Sequence, residues 1–245
     1  MVILIAFATF LSTLLGGLFA LRFKDKLHLV LGFSAGAVIS VAFFDLMPES
    51  IELGAPFYEP AMMLRFTAVG FLVYLLLDRL VFFHAHHGDD EHAPHGHAKH
   101  PNLGVLGAGS LALHSFLDGV AIGLAFQVSA AVGAVVAVAV LVHDFSDGVN
   151  TVNMILKNAG GPRTAMRWLI AVAVAPILGA LSTLFFSLPQ NILAIILSVF
   201  AGFFLYIGAT DLIPESHHAH PKLITTVMTI VGVLVLYVAI QIAGV

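Results

Sequence analysis

Apolar runs of about 20 residues, the length that crosses a bilayer as a helix, recur along this chain and most limit its fold. A backbone at membrane depth must satisfy its own hydrogen bonds, so each run is expected to form a helix. Eight spans follow, at about 1–21, 27–46, 61–83, 103–128, 130–156, 164–188, 191–213 and 223–245. With 60% hydrophobic and 10% charged residues, the composition excludes a soluble globular domain. The first run has no basic flank and no small-residue cleavage site, so it reads as a retained span. There is no cysteine, which excludes disulfides, thiolate metal sites and thiol nucleophiles.

Lysine and arginine set the expected orientation. Arg22, Lys24 and Lys26 lie between spans one and two, and Arg79 and Lys99 flank the connection from three to four. Lys157, Arg163 and Arg167 lie around the turn from five to six, and Lys222 between seven and eight. Only Arg65 falls on the other side. The bias predicts that these connections are cytoplasmic and both termini extracytoplasmic.

Two short motifs repeat. His114-Ser115-Phe116-Leu117-Asp118-Gly119 and His143-Asp144-Phe145-Ser146-Asp147-Gly148 each lie within an apolar run. Residues four apart share a helix face, so each segment would turn one imidazole and one carboxylate the same way. A charge at membrane depth costs roughly 2.5–3.5 kcal/mol even on lenient scales. A divalent ion held by His114, Asp118, His143 and Asp147 would compensate both pairs. The bland reading is a buried hydrogen-bonded network or a proton relay. Asp144 is rotated around the helix and could touch a second cation or accept a proton. Gly119 and Gly148 would let helices approach closely. Asn150 and Thr151 extend the polar face toward the inner side, where interhelical hydrogen bonding explains them equally well.

The second repeat is Asp45-Leu46-Met47-Pro48-Glu49-Ser50 and Asp211-Leu212-Ile213-Pro214-Glu215-Ser216. The first copy ends span two on the outer side, and the second ends span seven on the inner side. Spans one to three and six to eight then form inverted halves around a central pair, as in many secondary transporters. The fold class is an all-α membrane protein with a 3+2+3 inverted-repeat bundle. Proline is expected to break each helix and free backbone carbonyls. Asp45, Glu49, Asp211 and Glu215 would gather and release a cation at the two ends, with His217 and His218 following. The alternative is helix termination with solvated carboxylates. A histidine-rich tract, residues 84–100, reads as a cytoplasmic metal collector.

On these residues the chain resembles the ZIP (zinc/iron permease) family. That family's fourth span reads His-Asn-x-x-Asp/Glu-Gly, which His114 to Gly119 matches except at Ser115. Its fifth often reads His-Glu-x-x-His/Glu, similar to His143 to Asp147. The resemblance covers the whole chain. It implies eight spans, external termini, a 3+2+3 arrangement and a primary transport site at His114, Asp118, His143 and Asp147. Members with a second metal use Asn at the position of Ser115 and Glu before proline in span six, where this chain has Ala175-Pro176. One high-occupancy site is therefore expected.

The expected function is carriage of divalent transition metal ions into the cytoplasm across the plasma membrane. Zinc ranks first, ahead of Fe2+, Mn2+, Co2+ and Cd2+. Partners are the metal ions and the lipid bilayer, with a homodimer compatible and nucleic acid not expected. The alternative is an intramembrane metal-dependent hydrolase on the same ligands, but the chain lacks His-Glu-x-x-His.

Overall fold

The structure is a computed structural model that describes residues 2–22, 27–86, 101–158, 160–218 and 223–243. The histidine-rich tract lies outside the described residues, apart from the helical backbone through His86. Eight helices are long and apolar enough to cross a membrane, as the apolar runs require. Span one is α1 (Val2–Arg22). Span two is α2 (Leu27–Val41), a widened turn at Ala42–Leu46, and α3 (Met47–Gly54). Spans three to six are α4 (Pro60–His86), α5 (Pro101–Val128), α6 (Ala130–Lys157) and α7 (Pro162–Ser182). Span seven is α8 (Gln190–Tyr206), a second widened turn at Ile207–Leu212, and α9 (Ile213–His218). Span eight is α10 (Leu223–Ala243).

The prolines of the repeated motif do not break their helices. Met47 N–H bonds to Ala42 O and Ile213 N–H to Gly208 O, both i to i−5. The extra residue in each turn moves aside the carbonyl that a proline ring would otherwise strike. Pro48 then opens α3 at a position that needs no N–H donor, and the helix runs on to Gly54. Span six is shorter than the apolar run suggested. It closes in a 3-10 turn at Thr183–Phe185, and Phe186 is extended at φ −149°, ψ 155°. Pro189 favours the same extended form at Leu188.

Side chains of span four hold that stretch. Gln127 Nε2 donates to Thr183 O at 3.1 Å and to Phe186 O at 2.9 Å, and its Oε1 accepts from Leu188 N–H at 3.1 Å. Gln127→Ala strands several of these groups, and a net loss of about 1–3 kcal/mol is expected. It should appear as a lower melting temperature and faster proteolysis between residues 182 and 190.

The packing shows how the inverted halves are used. Span four lies along span six, and span five along span one; span two lies along span eight, and span three along span seven. Exchanging one with six, two with seven, three with eight and four with five maps these pairs onto one another. Each half therefore gives its first helix to the central pair. The remaining four spans, two, three, seven and eight, form a second group.

Glycine lies on both sides of every pair. A Cβ on Gly119 would meet Pro176 O, and one on Gly179 would meet Phe116 O. Gly148 faces Thr13 O, and Gly16 faces Phe145 O. Gly36 and Gly232 do the same between spans two and eight, as do Gly70 and Gly202 between three and seven. Gly119 and Gly148 thus serve close approach, though to spans six and one and not to each other. Helices in lipid have no hydrophobic drive to associate, so such backbone proximity carries their packing.

Candidate metal site

Spans four and five meet after a single residue, Ser129, whose Oγ caps span five by accepting Val132 N–H at 3.0 Å. This tight hairpin sets the two His-x-Phe-x-Asp-Gly segments side by side. His114, Asp118, His143 and Asp147 each offer one ligand atom, and these atoms all lie within 4.8 Å of one another. His114 Nε2 is 3.1 Å from Asp118 Oδ2 and 3.5 Å from Asp147 Oδ2. His143 Nε2 is 3.3 Å from the same Asp118 oxygen. Tetrahedral zinc with bonds of about 2.0–2.2 Å places its ligand atoms about 3.3–3.6 Å apart. The donor set and spacing therefore suit such an ion, and all four side chains are buried.

The imidazoles are held from behind. His143 Nδ1 is 3.0 Å from Ala139 O. A carbonyl only accepts, so Nδ1 carries the proton and Nε2 faces the cluster. His114 Nδ1 is 2.8 Å from Tyr74 Oη. Among the described residues, Asp147 Oδ2 has no hydrogen-bond partner. Buried carboxylate oxygens without a donor are rare in native proteins and call for a cause such as a bound cation.

The other expected site residues divide. Asp144 is fully buried, and its Oδ1 sits 4.0 Å from His143 Nε2, beside the four-group cluster and outside it. Among the described residues, neither of its oxygens has a hydrogen-bond partner, nor has Ser115 Oγ. Thr151 Oγ1 donates to Asp147 O at 2.7 Å, a bond within its own helix. Asn150 is half-buried one turn from the cluster.

The two ends of the bundle differ. Asp45 is 1% exposed and neither carboxylate oxygen has a hydrogen-bond partner among the described residues, whereas Asp211 is exposed. Glu49 is half-buried. His217 binds inside its own segment and across to span eight, with Nδ1 2.9 Å from Ile213 O and Nε2 3.2 Å from Thr226 Oγ1. The side chains of Glu215 and His218 lie outside the described residues.

Two polar residues of span three escaped the sequence reading. Tyr74 reaches His114, and Asp78, one turn on, accepts a hydrogen bond from Tyr206 Oη at 2.8 Å. Their signal was a hydroxyl and a carboxyl four residues apart inside an apolar run, the same spacing that marked the other motifs.

The chain is similar to known proteins. The zinc transporter ZupT of Enterobacter sp. (strain 638) is 25% identical over 220 residues, which is 88% of this chain and 84% of that one. The zinc transporter foi of Drosophila melanogaster is 28% identical over 130 residues, 53% of this chain. Human zinc transporter ZIP6 is 30% identical over 115 residues, 46% of this chain. The matched parts make up only 18% of the fly protein and 15% of the human one. The profile of the ZIP zinc transporters matches residues 103–239, which take in both spans that carry the His/Asp cluster. With more than half of its length matched, and with eight membrane-spanning helices around the paired His/Asp motifs, the chain belongs to the ZIP zinc transporter family.

Proposed function

We propose that this protein carries divalent transition metal ions, zinc first among them, through the plasma membrane into the cytoplasm. The observation that carries this reading is the buried cluster of two imidazoles and two carboxylates between spans four and five. The names of the relatives, zinc transporters, support both the activity and the metal. They favour transport over a hydrolase on the same residues.

An ion enters past Glu49 and Asp45, binds at His114, Asp118, His143 and Asp147, and leaves past Asn150, Asp211 and Glu215, with His217 and His218 beyond. Asp144, beside the primary site, makes a transient contact on the way. The bias of arginine and lysine toward one set of connections in the sequence supports an exit on the cytoplasmic side and both termini outside. The buried Asp45 and exposed Asp211 suit a conformation closed at the outer end and open at the inner one. Alternating access follows if the group of spans one, four, five and six rocks against the group of two, three, seven and eight.

Purified protein in liposomes that enclose a fluorescent zinc indicator tests this directly. Wild type should show uptake down a zinc gradient, and folded His143→Ala should fall to the empty-liposome rate. Wild type that binds zinc and moves none under any gradient would overturn the transport reading. Competition by Fe2+, Mn2+, Co2+ and Cd2+ then ranks the cargo.

A further inference from the structure

The four ligands come from spans four and five, yet one of them is held by a residue of span three. Tyr74 Oη lies 2.8 Å from His114 Nδ1, and its ring stands edge-on to the imidazole, 5.8 Å between centroids at 88°. The tyrosine is itself clamped by span seven. Its ring packs 5.3 Å from Phe203 and 5.2 Å from Tyr206, and Tyr206 is anchored in turn by its hydrogen bond to Asp78. Among the described residues, this is the one hydrogen bond to any of the four ligands that starts on spans two, three, seven or eight.

We propose that Tyr74 is the positioning residue of the metal site. It holds His114 with Nε2 turned toward Asp118 and Asp147, and it does so from the opposing group of helices. An imidazole that binds metal through one nitrogen needs a partner on the other to fix its ring plane and tautomer. Ala139 O does this for His143 from the same helix, so that partner moves with its ligand. Tyr74 does not move with His114. The geometry of His114, and with it the affinity of the site, thus depends on how the two groups of spans are placed. This rests on the metal reading of the cluster given above.

Equilibrium zinc binding in detergent, by competition with a fluorescent chelator of known affinity, tests it on wild type, Tyr74→Phe, His114→Ala and the double variant. Phenylalanine keeps the aromatic packing and removes only the hydroxyl. Tyr74→Phe should weaken binding about ten-fold, the lower end of what a hydrogen-bond partner of a metal-binding imidazole contributes. In the His114→Ala background the same change should do nothing further. Unchanged affinity in Tyr74→Phe overturns the proposal. Equal weakening in both backgrounds also overturns it, because the tyrosine would then act through packing and not through His114. If wild type and His114→Ala bind zinc equally, the cluster is not the metal site, and the tyrosine proposal falls with that reading.

Discussion

Asp118→Ala should weaken zinc binding by at least about a hundred-fold, since loss of a residue that only orients a metal-binding side chain already costs ten- to a hundred-fold. Asp118 is the hinge of the cluster. One of its oxygens lies 3.1 Å from His114 Nε2 and 3.3 Å from His143 Nε2, so it joins the ligands of span four to those of span five. Its removal takes away one ligand and one negative charge. It also leaves two buried imidazoles without the carboxylate they share. Asp118→Asn keeps the shape but not the charge, and should fail nearly as badly. Asp118→Glu restores a carboxylate and should recover part of the affinity. The measurement is the chelator competition used for Tyr74, with melting curves to show that each variant folds. Wild-type affinity in a folded Asp118→Ala protein would remove the cluster as the binding site.

The second large effect is on assembly. Gly148→Leu should yield little or no folded protein, and even Gly148→Ala should lower stability by about 1–3 kcal/mol, the usual cost of overpacking. The atoms that a new Cβ would strike are Thr13 O, Gly17 N at 2.8 Å and Thr13 C at 2.9 Å, all of them backbone. No side chain there can rotate away, so span one must withdraw from span five. Asp147 is the next residue, and its carboxylate would shift with the helix. Gly119→Leu should act alike between spans four and six. Gly109→Ala is the control, because its Cβ would meet only the Trp168 ring at an ordinary 3.6 Å. Thermal melting and the yield of monodisperse protein separate the cases. Equal stability of Gly148→Leu and Gly109→Ala would show that backbone proximity does not hold these pairs.

Much of this architecture was legible without coordinates, for reasons that are local. A bilayer requires every backbone donor and acceptor to be satisfied within its own segment, so apolar length determined eight helices before any packing was known. Four-residue spacing on a helix determined that His114 and Asp118 share a face, as do His143 and Asp147. A single residue between spans four and five left the two faces little choice but to meet.

What tertiary structure decided depends on contacts that local pattern does not encode. Lipid tails and leucine faces are equally apolar, so hydrophobicity did not reveal that span one goes with five and span six with four. The glycines that make those pairs were visible, but not which carbonyl each would meet. The two Asp-Leu-x-Pro-Glu motifs are nearly identical in sequence, yet Asp45 is buried and Asp211 exposed. That difference belongs to the conformation of the whole bundle. The prolines there were read as breaks, and an extra residue in each preceding turn let both helices continue. In sequence Tyr74 stands out only by its four-residue spacing from Asp78 inside an apolar run. Only the packing of span three on span seven, with its ring between Phe203, Tyr206 and His114, brings its hydroxyl to His114.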